Sequence, residues 1–255
     1  MLRLRVATYN IHKGVTGIAR RVRVHDVRQG LQTMDADIVF LQEVQDRNDR
    51  LVAAELFDPN YTQLRYLATD VYPHTVYGRN AVYEHGHHGN AILSRFPISR
   101  SFNQDVTHMR FERRGLLHCV LQVDSLPRPV HCVCVHLSLF ARSRRRQMDA
   151  LASYLESITD PDTPLLIAGD FNDWRNEADS LLARRLGLSE SIAGDSGDGG
   201  SPGRSFPAKL PVLRLDRIYM RGFSVEHAEI HYGEPWSRIS DHAALSASLN
   251  WNDGR

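Results

Sequence analysis

Short runs rich in apolar and β-branched residues recur along the whole chain, at 2–9, 38–41, 91–93, 116–123, 130–135, 165–168, 213–220 and 244–249, and each predicts a strand. Between some of them the apolar spacing lengthens to three or four. Val24, Val27, Leu31 and Met34 predict one helix, and Met148, Leu151, Ala152, Leu155 and Ile158 a clearer one. The combination predicts an α/β domain whose strands are too short and connections too irregular for a regular βαβ repeat. With no internal repeat and no interdomain linker, residues 1–255 are expected to form a single domain. Glycine takes half the positions of 194–203, which predicts a mobile surface loop, either a plain connection or a lid.

Composition adds exclusions. Apolar residues make up 42% and charged residues 24% of the 255, which excludes a disordered, collagenous or membrane-spanning chain. A net charge of +1 gives no strong field to draw the protein to nucleic acid or anionic lipid. Charge is uneven, however. Seven basic residues of 1–30 face only Asp26, and the first reading of them is a solvated surface, the second a local phosphate-binding face. The run Arg142-Ser-Arg-Arg-Arg146 opens a helix; the first reading of it is a solvated helix start, and the second, because cations oppose the positive end of the dipole, a partner for the charge, either an acid or a phosphate. Cys119, Cys132 and Cys134 are an odd set in apolar strands, which argues against a disulfide framework and against a thiolate nucleophile. The chain opens on a strand-like run and has no stretch of 18 apolar residues; the expectation is a soluble cytoplasmic protein without a transmembrane segment.

Polar residues of ligand type collect where the strands should end. Thr8-Tyr9-Asn10 follows the first run, Gln42-Glu43 the second, His136 follows Val133-Cys134-Val135, and Gly169-Asp170-Phe171-Asn172 follows Leu165–Ala168, while Ser240-Asp241-His242 precedes the last. Taken singly, such a residue is a helix cap or a turn former. Asp170 and Asn172 lie two apart and would project together if extended backbone continued past Ala168; hard oxygen donors of this kind suit Mg²⁺ or a water attacking phosphate. Ser240, Asp241 and His242 are not a hydrolase triad, because consecutive side chains in extended backbone point apart. Asp241 is better placed to face a metal and His242 a substrate, with Asp216 a candidate to orient the imidazole.

Asn10, Leu41-Gln42-Glu43, Gly89-Asn90-Ala91-Ile92-Leu93-Ser94, Val135-His136-Leu137, Gly169-Asp170-Phe171-Asn172, Leu215-Asp216 and Ser240-Asp241-His242 resemble, in order, the motifs of the endonuclease/exonuclease/phosphatase superfamily of Mg²⁺-dependent phosphoesterases. The resemblance spans residues 5 to 249 and implies a four-layered α/β sandwich, two packed mixed sheets flanked by helices, with the site at one edge of the sheets. It also implies roles: Glu43 as principal ligand of Mg²⁺, or of Mn²⁺ in its place, Asn10 and Asp241 nearby, Asp170 and Asn172 positioning water and phosphate, Asp216 paired with His242, and His136 donating to a nonbridging phosphate oxygen.

The Val-His-Leu form at His136 departs from the abasic-site endonucleases, which carry tyrosine there, and is similar to DNase I, the sphingomyelinases and other lipid- or inositol-directed members. Tyr77-Gly78-Arg79-Asn80-Ala81-Val82-Tyr83 and Gly86-His87-His88-Gly89-Asn90 resemble a group of small bacterial members without an assigned substrate. Arg114, Asn90 and His88 are the candidates to touch substrate, with His85, His87, Arg79 and Asn80 weaker ones. The expected partner is a phosphoester, lipid or small organophosphate before DNA or RNA. A binding module without turnover is a third reading, and one that should have lost a metal ligand.

Overall fold

The computed structural model describes residues 2–16, 21–50, 62–192 and 203–252. In chain order these form β1 (Arg3–Asn10), a short hairpin of β2 (Val15–Thr16) and β3 (Arg21–Val22), α1 (Val24–Met34), β4 (Ile38–Asn48), α2 (Gln63–Ala68), β5 (His74–Tyr83), β6 (Gly86–Ser94), β7 (Ile98–Asp105), β8 (Gly115–Leu121), β9 (Val130–His136), α3 (Ala141–Ile158), β10 (Leu165–Asp170), β11 (Ser189–Glu190), β12 (Asp216–Arg221), β13 (Phe223–His231) and β14 (Ala244–Trp251). One six-stranded sheet runs β13-β14-β1-β4-β6-β5 and a second runs β11-β12-β10-β9-β8-β7. Both are mixed: β1 and β4 are parallel, as are β9 and β10, and the remaining neighbours are antiparallel.

Three buried clusters make four layers. Leu4, Val6, Phe40 and Ile92 of the first sheet meet Cys132, Leu166, Ile218 and Met220 of the second. The outer face of the first sheet is covered by Val27 and Leu31 of α1 and Leu64 and Leu67 of α2. The second sheet is covered by Met148, Leu151 and Leu155 of α3, with Leu182 and Leu186 of the short helical stretch 179–186. Burying both faces of each sheet is what lets the central strands read as unbroken apolar runs. The four-layered sandwich is therefore present, and both expected helices form with their apolar stripes inward.

Strand alternation carries the polar residues to one place. The inter-sheet row of β1 reads Leu4, Val6, Thr8, Asn10; that of β4 reads Ile38, Phe40, Gln42; that of β9 reads Cys132, Cys134, His136; and that of β10 reads Leu166, Ala168, Asp170. Each row turns polar at its C-terminal end. Register aligns those ends, with Asn10 opposite Gln42, and Asp170 opposite both His136 and Asp216. One end of the inter-sheet layer is consequently a buried polar chamber.

Several expectations need correction. β5, β7 and β13 are strands that the apolar runs did not announce, because each lies on or next to a sheet edge with much of its length exposed. β4 continues to Asn48 through two irregularities. The run 213–220 becomes a strand only at Asp216; Leu213 instead faces Phe206 in an isolated bridge. The expected loop 194–203 lies, apart from Gly203, outside the described residues.

Candidate active site

The two sheets are joined by hydrogen bonds at their polar end. Asn10 Nδ2 donates to Asp170 Oδ2 at 3.1 Å, Gln42 Nε2 to Cys134 Sγ at 3.2 Å, and Asn90 Nδ2 to the carbonyls of Gly115 and Cys134 at 3.0 and 3.3 Å. Asn90 is therefore a buried tie between the sheets, not a group presented on a surface. Its Oδ1 has no hydrogen-bond partner.

Behind Asp170 lies the pair expected from the sequence. His242 Nδ1 is 2.8 Å from Asp216 Oδ2, which also accepts from Ser205 Oγ at 2.6 Å, and His242 Nε2 lies 3.8 Å from Asp170 Oδ2. Burial works against a charged imidazole here, yet the carboxylates of Asp216 and Asp170 and the hydrogen bond to Asp216 prevail and push the His242 pKa up to about 10. Burial likewise lifts Asp170 above the ordinary carboxylate range, with His242 drawing it back and Asp216 adding to the rise. His136, with Nε2 at 3.4 Å from Asp170 Oδ2, is held well below the ordinary imidazole range by burial and by the nearby Arg114 cation. The two imidazoles beside this carboxyl are thus shifted in opposite directions, His242 towards its charged form and His136 towards its neutral one.

On the other wall, Ser240 Oγ donates to the Asn10 carbonyl at 2.7 Å and accepts from His242 N, so that Asp241 and His242 diverge as extended backbone requires. Asp241 is half exposed and 3.1 Å from His12 Nδ1. Burial tends to raise Asp241, and the hydrogen bond from His12 outweighs it to lower the pKa; His12 rises in return, first through that same bond. Glu43 sits at φ 57° at the break between two registers of β4, and Lys13 Nζ approaches its Oε2 at 3.6 Å. His12 and Lys13 also have positive φ, 45° and 60°, a conformation that costs a non-glycine residue on the order of 1 kcal/mol or more.

Among the described residues, Asp170, Asp216 and His242 are the group whose ligand atoms fall within 4.8 Å of one another. Glu43, Asn10 and Asp241 are not gathered so tightly. A hard cation that keeps several waters needs only one or two carboxylates. The donor set fits one, because Glu43 Oε2 and Asp216 Oδ1 are buried carboxylate oxygens without a hydrogen-bond donor among the described residues.

Asn172 is close to Asp170, but by another route than continued extension. The strand ends at Asp170, Asn172 takes φ 50°, its backbone N–H donates to Asp170 Oδ1 at 2.9 Å, and its Nδ2 donates to the Leu137 carbonyl at 2.9 Å. Arg114 is neither a plain surface residue nor a free phosphate ligand: it is largely buried, with Nε donating to Leu137 O at 3.2 Å and Nη2 paired to Glu112 at 3.1 Å. His88 is lowered to about 4, by burial first and Lys13 next, and its buried Nδ1 lacks a partner. His87 turns to Tyr77 Oη at 3.0 Å and His85 to Glu84, so the three histidines do not converge on a metal.

The basic segments find acids. Of the seven basic residues of the first stretch, Arg3, Arg5, Arg23 and Arg28 form separate ion pairs with Glu226, Asp35, Asp26 and Asp70, and Lys13 approaches Glu43, while Arg20 and the Arg21 side chain lie outside the described residues. In the 142–146 run, Arg145 pairs with Glu177, and Arg144 is fully buried beside Asp173. Cys119, Cys132 and Cys134 are free and buried, and burial raises the Cys132 and Cys134 thiols, as their apolar rows foretold. Ser205, His12 and Lys13 complete the chamber without having been singled out for it. Ser205 comes from a loop beyond the glycine-rich stretch and carries no local signal; adjacency to Asn10 was the signal available for His12 and Lys13.

Comparison with known proteins agrees with this arrangement. Residues 7–242 match the Endonuclease/Exonuclease/phosphatase family. Uncharacterized protein YbhP of Escherichia coli (strain K12) is 39% identical over 246 residues, 96% of each chain. The solved endonuclease/exonuclease/phosphatase of Beutenbergia cavernae superposes with TM-score 0.75 at 21% identity, covering 98% of this chain and 72% of that one. The human Nocturnin catalytic domain with bound sulfate anion gives TM-score 0.75 at 21% identity, covering 98% and 95%.

Proposed function

Because the chain belongs to the Endonuclease/Exonuclease/phosphatase family, we propose that its polar chamber hydrolyses a phosphoester with a divalent cation, Mg²⁺ or Mn²⁺. The observation that carries this reading is the buried constellation of Asp170, Asp216 and His242, whose ligand atoms lie within 4.8 Å of one another. Glu43, Asn10 and Asp241 would hold the cation, which neutralises charge on the phosphate and favours attack by water.

The chain's own residues divide the remaining work. Asp170, with its raised affinity for protons, takes the proton of the attacking water. His242, charged and fixed by Asp216, offers Nε2–H to the phosphate oxygens as negative charge grows. His136, shifted towards its neutral form and likewise beside Asp170 Oδ2, donates a second hydrogen bond to the phosphate. Asn172 holds the Leu137 carbonyl and, through its backbone N–H, the Asp170 carboxylate, so that the base keeps one orientation. Of the substrate-contact candidates, Asn90 ties the two sheets together and Arg114 is held by Glu112 and the Leu137 carbonyl, which leaves His88, with its partnerless Nδ1 among the described residues, as the candidate to touch substrate.

Lipid-borne or small organic phosphoesters are favoured over duplex DNA, since four of the seven basic residues of the first stretch are held in separate ion pairs and the net charge is +1. Nuclease action is the second reading; a binding module without turnover is the third, disfavoured because none of Asn10, Glu43, Asp170, Asn172, Asp241 and His242 is missing from the sequence. Free buried cysteines fit a reducing, cytoplasmic setting, and no helix of the described residues is long and apolar enough to cross a membrane. The test is a metal-dependent screen against bis-p-nitrophenyl phosphate, p-nitrophenyl phosphate, glycerophosphodiesters, phospholipid, RNA, plasmid and abasic-site duplex. Turnover of small or lipid substrates with divalent cation supports the proposal; incision of the abasic duplex with those untouched overturns the preference, and no metal-dependent turnover of any overturns the activity.

A further inference from the structure

Three loops that leave the chamber carry large apolar side chains into solvent. Phe111 is 75% exposed, Leu139 54%, Phe140 47% and Trp174 44%. Leu139 and Phe140 follow His136 by three and four residues and Trp174 follows Asn172 by two, so these loops leave directly from residues of the candidate site. A monomeric protein rarely keeps apolar bulk in water at such a place without a use for it.

Buried charges hold the tips in place. Glu112 accepts from Leu139 N at 3.0 Å and from Ser138 Oγ, and it pairs with Arg114, which fastens the Phe111 loop to the 137–140 loop. Arg144 donates to the carbonyls of Ser138 and Leu139 at 3.0 and 3.1 Å, with its guanidinium 4.9 Å from the Trp174 ring centroid. A fully buried arginine at the start of a helix is costly, and here it ties two of the three apolar loops together. The platform is therefore pre-shaped.

The surroundings are cationic. Residues 106–114, 137–146 and 173–177 hold eight arginines against Glu112, Asp173 and Glu177, a net charge of +5 in a chain of net +1. Arg110, Arg113, Arg142 and Arg175 are exposed around the apolar tips. We propose that this face docks on an anionic lipid surface, the apolar tips entering the headgroup boundary and the arginines meeting lipid phosphates. Single-stranded nucleic acid would also suit the charge, but stacking needs free, parallel ring faces. Phe111 and Phe140 instead pack edge to face at 76°, Trp174 is occupied by Arg144, and Leu139 has no ring. The proposal depends on the functional reading only for where the site lies, and binding is measurable without turnover.

The experiment is co-sedimentation of the full chain with vesicles of phosphatidylcholine containing roughly one third phosphatidylglycerol, without divalent cations and at about 0.1 M salt, with tryptophan fluorescence followed in parallel. Binding with a blue shift is expected, weak or absent on pure phosphatidylcholine. The variant Phe111→Ser/Leu139→Ser/Phe140→Ser should bind more than roughly tenfold more weakly with an unchanged melting temperature, since all three side chains are exposed. Arg110→Glu/Arg113→Glu, which leaves the tips intact, should lose binding as well and serves as the second variant. Equal binding to both vesicle types, binding that survives both variants, a preference for single-stranded DNA that the serine variant abolishes, or self-association through this face would each overturn the proposal. Because no turnover is read, an inactive but vesicle-binding protein would sink the hydrolase reading and leave this one standing.

Discussion

Asp170 and Asp173 are three residues apart, both buried, and surrounded in opposite ways. Asp173 lies between two guanidinium groups that keep their charge at any working pH, Arg217 at 3.5 Å and Arg144 at 3.8 Å, and accepts from Ala178 N at 2.8 Å. Asp170 has no guanidinium. Its neighbours are His136, His242 and the Asn10 amide, two of which can gain or lose a proton. The first carboxylate is neutralised inside the fold and fastens the segment after β10; the second is left with proton-exchanging partners beside acids that lack donors. On the proposed function, stability and chemistry fall to different carboxylates three residues apart.

The largest effect that would separate them is on rate. Asp170→Asn keeps volume and removes the base, and turnover should fall by roughly 10³-fold, within the range seen for acid–base groups. Its stability should move the other way. Asp170's folded pKa is raised, so the native state binds the proton more tightly than the unfolded chain, and wild-type stability declines as pH climbs from the ordinary carboxylate range towards the raised value. In chelator, urea unfolding at pH 8 should therefore find the asparagine variant no less stable than wild type. A loss of stability there would place Asp170 with Asp173 as a structural residue.

Arg217→Met should do the reverse, costing about 3 kcal/mol in urea unfolding because it strips a buried ion pair of one partner. The Arg217 guanidinium also donates to Tyr219 Oη and Asn176 Oδ1, so the cost is shared across that network. Turnover per folded molecule should fall by far less than in Asp170→Asn. Smaller again is Asp216→Asn, expected to lower turnover roughly ten- to a hundredfold. Asp216 is the leading support of the charged His242, so without it the imidazole pKa drops and the alkaline limb of the pH–rate profile shifts to lower pH. An unmoved limb would mean that the limb reports another group.

The apolar rows that define β1, β9 and β10 were legible in the sequence because both faces of those strands are buried, and the residues that break each run, Asn10, His136 and Asp170, were legible for the same reason. Glu43, Asp216, Asp241 and His242 stood beside such runs. What could not be read depended on contacts between distant segments. Ser205 reaches Asp216 from a loop, Arg144 and Arg217 are interior arginines where exposure is the usual expectation, and Asn172 meets Asp170 through a left-handed turn that no spacing announces. Edge strands β5 and β13 were silent because exposure removes the apolar signal that a strand otherwise carries.

Glu43 is the residue whose role is most open to refutation, since among the described residues its buried Oε2 has no hydrogen-bond donor, with Lys13 Nζ 3.6 Å away. The direct measurement is a Mg²⁺ titration of wild type and Glu43→Gln, following hydrolysis of whichever substrate in the screen is turned over, with the binding heat recorded alongside. Wild type should be inactive in chelator and saturate with Mg²⁺, whereas Glu43→Gln, folded and equally stable, should bind Mg²⁺ far more weakly and remain inactive at every concentration reached. Turnover by wild type in chelator, or full activity of Glu43→Gln at saturating Mg²⁺, would contradict the account.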